Sequence, residues 1–101
     1  MSAKFNGMKV FCYNANALVG GELVKVGPEG CEFLCHSMQA VPPFARKCSV
    51  RLDLFEPQSG FSQSLEARIV DYGRRRGVWV YRIRWRSFPE LLEHTVRNEI
   101  H

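Results

Sequence analysis

The stretch Val78-Trp79-Val80-Tyr81-Arg82-Ile83-Arg84-Trp85-Arg86 decides the fold. Successive side chains of a β-strand point to opposite faces, so residues two apart share a face. That period puts Trp79, Tyr81, Ile83 and Trp85 on one face and Arg82, Arg84 and Arg86 on the other. Rings turned inward and guanidinium groups turned toward water make this one wall of a sheet with a single buried side.

Working outward, Gly73-Arg74-Arg75-Arg76-Gly77 is a tight charged connection to a preceding strand over 65–72, with Leu65, Ala67 and Ile69 on one face. Glu56-Pro57-Gln58-Ser59-Gly60 separates that strand from another over 49–55, where Val50, Leu52 and Leu54 alternate with Ser49, Arg51 and Asp53. The two prolines of Ala40-Val41-Pro42-Pro43-Phe44-Ala45 would remove ladder donors, so this segment is a loop. Further upstream, strands over 22–26 and 31–36 flank Gly27-Pro28-Glu29-Gly30 as a hairpin, because Pro presets one turn position and Gly permits positive φ at another. The first strand covers 8–13.

Downstream the pattern changes period. Ser87-Phe88-Pro89-Glu90 fits a capping box with Ser87 at the N-cap. Phe88, Leu92, Val96 and Ile100 then recur every four residues beside Leu91, one apolar stripe on an amphipathic helix over 88–100. Glu90 and Glu93 suit the positive end of its dipole. The expected architecture is mostly β: a six-stranded antiparallel barrel over 8–86, with a short C-terminal α-helix covering part of it. The whole chain, 1–101, reads as a single domain.

Of 101 residues, 46% are hydrophobic and 24% charged, proportions that exclude a disordered tail or low-complexity linker. No apolar run approaches the roughly 20 residues of a membrane helix, so no membrane insertion is expected. Met1-Ser2-Ala3-Lys4-Phe5-Asn6-Gly7 has no apolar core of a signal peptide, which makes the cytoplasm the expected address. Cys12, Cys31, Cys35 and Cys48 carry two readings in such a compartment. Cys31-x3-Cys35, with His36 beside it, is a single knuckle of zinc spacing. The stronger reading is packing, because Cys31, Phe33 and Cys35 share one face of a strand and free cysteine behaves as a small hydrophobe.

No catalytic constellation stands out. There is no Gly-rich phosphate loop with a lysine, and His36, His94 and His101 form no metal-binding pair. Asp53 and Asp71 read as solvated strand positions. The chain is expected to be non-enzymatic and to need no cofactor. The arginines say more. Seven of them (Arg68, Arg74, Arg75, Arg76, Arg82, Arg84 and Arg86) face only Glu66 and Asp71 between residues 66 and 86, a local charge of +5. Arginine's planar fork suits phosphate, so Arg74, Arg75, Arg76, Arg82, Arg84 and Arg86 are the candidate ligand-binding residues, with nucleic acid as one partner class. A merely solvated face is the competing reading. It is favoured because binders of single strands also stack bases on outward aromatics, and here the rings fall on the other face.

The layout resembles the bacterial PilZ domain over residues 8–100. Three segments carry the likeness. Val24-Lys25-Val26-Gly27-Pro28-Glu29-Gly30-Cys31 lies where that family has its D/N-x-S-x-x-G turn. Residues 40–51 resemble its proline-containing loop and following strand. Tyr81-Arg82-Ile83-Arg84-Trp85 lies where the family has a glycine and an apolar-basic-aromatic ending. The resemblance implies a six-stranded barrel that serves as a receptor for cyclic di-GMP through R-x-x-x-R and the Asp/Ser turn. This chain departs from both motifs. No arginine precedes Arg46; Lys4 and Lys9, its basic residues before the first strand ends, are point charges and not forks. Lys25 stands for the Asp or Asn, Gly27 for the Ser, and Arg82 for the glycine of the last strand; Gly30 is kept. What the resemblance then implies is a degenerate member without the usual nucleotide site. Such a domain would act through a protein partner in cyclic di-GMP-related control of motility, type IV pili or biofilm.

Overall fold

The computed structural model describes residues 8–36 and 39–92. Six strands follow one another: β1 (Lys9–Tyr13), β2 (Leu18–Val24), β3 (Gly30–Cys35), β4 (Ser49–Phe55), β5 (Ser62–Arg75) and β6 (Val78–Trp85). They close into an antiparallel barrel in the order β1-β2-β3-β6-β5-β4. A helical turn begins at Glu90 and runs to the end of the described region. Lys4, Glu93, His94, Val96, Ile100 and His101 lie outside the described residues, and so does most of the expected helix. No helix among the described residues is long and apolar enough to cross a membrane.

Each wall contributes its alternate residues to the core. Val10 and Cys12 of β1, Phe33 and Cys35 of β3, Leu52 and Leu54 of β4, and Tyr81 and Ile83 of β6 are all buried. Residues of β3 and β4 are not neighbours; in the ring of strands they stand opposite one another. Their connection must therefore cross a barrel end, and it seats Phe44 there, 1% exposed. The Phe44 amide donates to the Tyr81 hydroxyl at 3.0 Å, and the two rings meet edge to face at 5.5 Å. Leu91 and Leu92 are buried against the same core from the helix that follows β6. Burying a leucine contributes about 1.5–3 kcal/mol, so both plugs matter in a barrel this small.

The structure departs from the sequence reading in three places. β2 starts at Leu18 and not at 22, because Gly20 and Gly21 pair with Phe11 and Val10 of β1. Two glycines carry no side-chain alternation, so the pattern could not reveal them as strand. β5 is longer than 65–72 and takes in Gly73, Arg74 and Arg75. The turn to β6 is only Arg76-Gly77, with φ of 54° and 85°, the two-residue type with positive φ at both centres. β5 also carries a bulge, since Ile69 pairs with Ile83 but Asp71 pairs with Arg82. Strict alternation from Ala67 and Ile69 would point Asp71 into the core. The extra residue, Val70, turns Asp71 outward and Tyr72 inward. Finally, Ser87 is not the helix cap. The helix starts three residues later, and Gln63 of β5 accepts the Leu91 amide at 2.9 Å in its place.

Candidate interaction surface

The outward side chains of β3, β6 and β5 form one wall. The register stacks them in rows across the three strands. One row is Gly30, Arg84 and Arg68; the next is Glu32, Arg82 and Asp71; a third is Leu34, Val80 and Gly73. All the arginines of the strip are exposed, yet the structure divides them into two groups, with Arg76 at the tip of the β5–β6 turn and Arg82 between Glu32 and Asp71 outside both.

The group near the β5–β6 turn is held by its surroundings. The bulge puts Arg74 on the side of Trp79, and its guanidinium lies 4.6 Å over that ring while donating to the Gln39 carbonyl at 2.8 Å. The Trp79 indole donates to the same carbonyl. Arg75 reaches the Glu32 carboxylate at 3.5 Å, which Lys25 approaches at 3.9 Å from the other side. The Glu32 side chain is 18% exposed, and its Oε1 has no hydrogen-bond partner among the described residues. Glu32, Asp71, Arg75 and Arg82 surround a recess of about 220 Å³ floored by Val80. Beside it, Arg46 donates to Asp71 at 2.7 Å and lies 4.1 Å over the Tyr72 ring. This bond, the Tyr72 amide and the charge of Arg82 hold the Asp71 carboxyl below its ordinary value.

The group at the other end has no such company. Arg68 and Arg84 stand directly opposite each other across β5 and β6, with Arg86 two residues on. None of these three guanidinium groups has an ion-pair or hydrogen-bond partner among the described residues. Like charges facing across a ladder are unfavourable. Arg84 separates two grooves of about 530 Å³ each. One runs along the 25–30 turn past Arg82 and Val70; the other runs past Arg68, Arg86 and Phe88, with Glu66 and Glu90 on its rim. Sequence reasoning counted Arg68 but did not assign it, and it passed over Glu32. Both roles depend on register, which one strand's pattern does not carry.

The turn of the family likeness closes onto its own barrel. Lys25 sits at φ 51°, the left-handed region that Asn and Asp tolerate better than Lys. Gly27 donates to the Gly30 carbonyl at 2.8 Å. The Trp85 amide and indole take the carbonyls of Glu29 and Pro28 at 3.0 and 3.2 Å. Gly30 has no alternative, since a Cβ there would overlap the Ile83 carbonyl oxygen. Lys25, Gly27 and Gly30 thus line the first groove together with Arg82 and Arg84.

The cysteines lie in the core. Cys12, Cys31 and Cys35 are buried and Cys48 is partly so, all as free thiols. Burial pushes the Cys12 thiol up to about 12 and that of Cys31 up as well, so neither supplies a thiolate. Among the described residues no three His, Cys, Asp or Glu side chains converge as a metal ligand set. His36 instead faces Glu22 at 3.4 Å on the surface.

Comparison of the chain with protein-family models, with curated proteins and with solved structures returns no match.

Proposed function

We propose that this chain is a PilZ-like barrel that works as a non-enzymatic regulatory module, binding a protein partner in cyclic di-GMP-related control of bacterial motility, pili or biofilm. The closed six-stranded barrel, the turn between β2 and β3 and the helix after β6 support the likeness. One observation carries the loss of the nucleotide site. At the turn, Lys25 leans toward Glu32, Gly27 offers no hydroxyl, and Trp85 occupies the carbonyls of Pro28 and Glu29. A cation and a missing hydroxyl cannot accept a guanine edge as an Asp/Ser pair would. Calorimetric titration with cyclic di-GMP tests this: no binding heat is expected, and a Kd at or below about 1 μM overturns it.

A second reading rests on the unpaired Arg68, Arg84 and Arg86, which suit a phosphate backbone. Against it, Tyr81, Ile83 and Trp85 are buried, and Phe88, the ring beside these arginines, is half-buried and packed edge to face on Trp85 at 6.1 Å. Anisotropy with a labelled oligothymidine across a salt series separates the two, since backbone binding falls steeply with salt.

A further inference from the structure

We propose that the outer wall of β6 docks an extended, acidic peptide segment of a partner protein, with Arg68, Arg84 and Arg86 as its anchors and Arg82 at its far end. This rests on the reading of the chain as a protein-binding module and names the chemistry of the partner.

Two independent observations point there. The first is electrostatic. Arg68 and Arg84 oppose one another without an ion pair among the described residues, Glu66 and Glu90 standing only on the groove's rim, although the same barrel supplies Glu32 to Arg75 and Asp71 to Arg46. A like-charge pair left open is costly to the free barrel, and a carboxylate placed between the two forks would relieve it. The second is geometric. Arg82 and Arg84 lie two residues apart along β6, so their stems are ~6.6 Å apart, the repeat that an extended peptide gives to acids at alternate positions, and Arg86 follows just past the strand's end. A peptide lying along β6 would set acids at Arg84 and beside Arg86, end at Arg82, which Glu32 and Asp71 already flank, and turn its intervening residues elsewhere. Val70, lifted outward by the bulge and 39% exposed, lines the groove next to Arg82 and Arg84. Phe88 lines the groove on the other side of Arg84. Both give apolar contact to the aliphatic stems of acidic residues seated at Arg84. A nucleic acid would satisfy the charges, but the ring beside Arg84, Phe88, is already packed against Trp85 and half-buried.

A fluorescein-labelled octapeptide of alternating Glu and Val is the probe, read by anisotropy at low ionic strength against the full chain. Binding that weakens with salt is expected. Arg84→Glu and Arg68→Glu should each weaken it about tenfold or more, the usual cost of reversing an anchoring charge. Lys9→Glu changes the net charge equally from β1, on the opposite side of the ring of strands, and should leave binding unchanged. A peptide of the same composition with its glutamates in one block should bind less well. Because a reversed charge could disturb the barrel, Arg84→Thr serves as a second variant: it should lose binding while its thermal midpoint stays level or rises. Four results overturn the proposal: no peptide binding at low salt, equal loss in Lys9→Glu, equal affinity for the blocked peptide, or tighter binding of oligothymidine. These outcomes leave the cyclic di-GMP titration untouched, so the docking site and the regulatory reading can fail separately.

Discussion

The two ends of the β5–β6 hairpin carry the same residue type and similar exposure, and they differ in everything else. Near the turn, Arg74 is stacked on Trp79 and bonded to Gln39, and Arg75 is paired with Glu32. Near the helix, Arg68 and Arg84 face each other, and with Arg86 they make no ion pair or hydrogen bond among the described residues. An arginine's role on a barrel is set by its cross-strand neighbours, and those are assigned by register. The turn end belongs to the architecture; the helix end is free to act on something else.

The strongest way to break this contrast is at the seam that sets the register. Gly30→Ala puts a methyl group into the Ile83 carbonyl, forcing β3 away from β6. The expected loss is about 3 kcal/mol or more, read as a drop in the denaturant midpoint, because overpacking against backbone cannot be relieved by a rotamer change. Both groups of arginines would lose their alignment. Next in size is Glu32→Ala. Removing the carboxylate takes the ion-pair partner from Lys25 and Arg75, and the loss should be about 1–2 kcal/mol, between the exposed and buried limits for ion pairs. It should shrink in high salt.

A paired substitution sharpens the comparison most directly. Arg75→Thr should destabilise by about 0.5 kcal/mol, while Arg84→Thr should stabilise by a similar amount, since it removes a repulsion and adds a β-branched residue to a strand. Equal signs in matched urea titrations would erase the distinction between the two ends. The smallest effect concerns acid. The folded Asp71 carboxyl lies below its ordinary value of 3.8, chiefly because Arg46 donates to it. Its contribution to stability is therefore complete above that value and disappears as pH falls through the lower, folded one. Asp71→Asn should flatten this part of a stability–pH curve by lowering stability slightly in the neutral region and leaving the acid end almost unchanged.

How much of this was legible depends on where the physics resides. The alternation of β6 could be read directly, because one face of a barrel wall is always buried; Tyr81, Ile83 and Trp85 lie inside as that period requires. β4 was legible to its ends, flanked by a proline loop and a Glu-Pro turn. The bulge at Val70 was not, because an apolar residue before an acid looks like ordinary alternation until the partner strand is known. That one shift moved Arg74 off the outer face and so split the strip. Ser87 carried the sequence mark of a cap, yet Gln63, far away in the chain, does that work. The candidate arginines were visible from the sequence. Their division into held and unheld groups was not, because Glu32, Gln39 and Arg68 enter only through contacts between strands.

The closed ring of strands has a consequence for any partner. With every backbone ladder already satisfied, β6 cannot accept an added strand, so a guest gains nothing from main-chain pairing. Recognition then falls wholly to side chains, and specificity can be rewritten on the outside one residue at a time while the interior, and with it the fold, stays as it is.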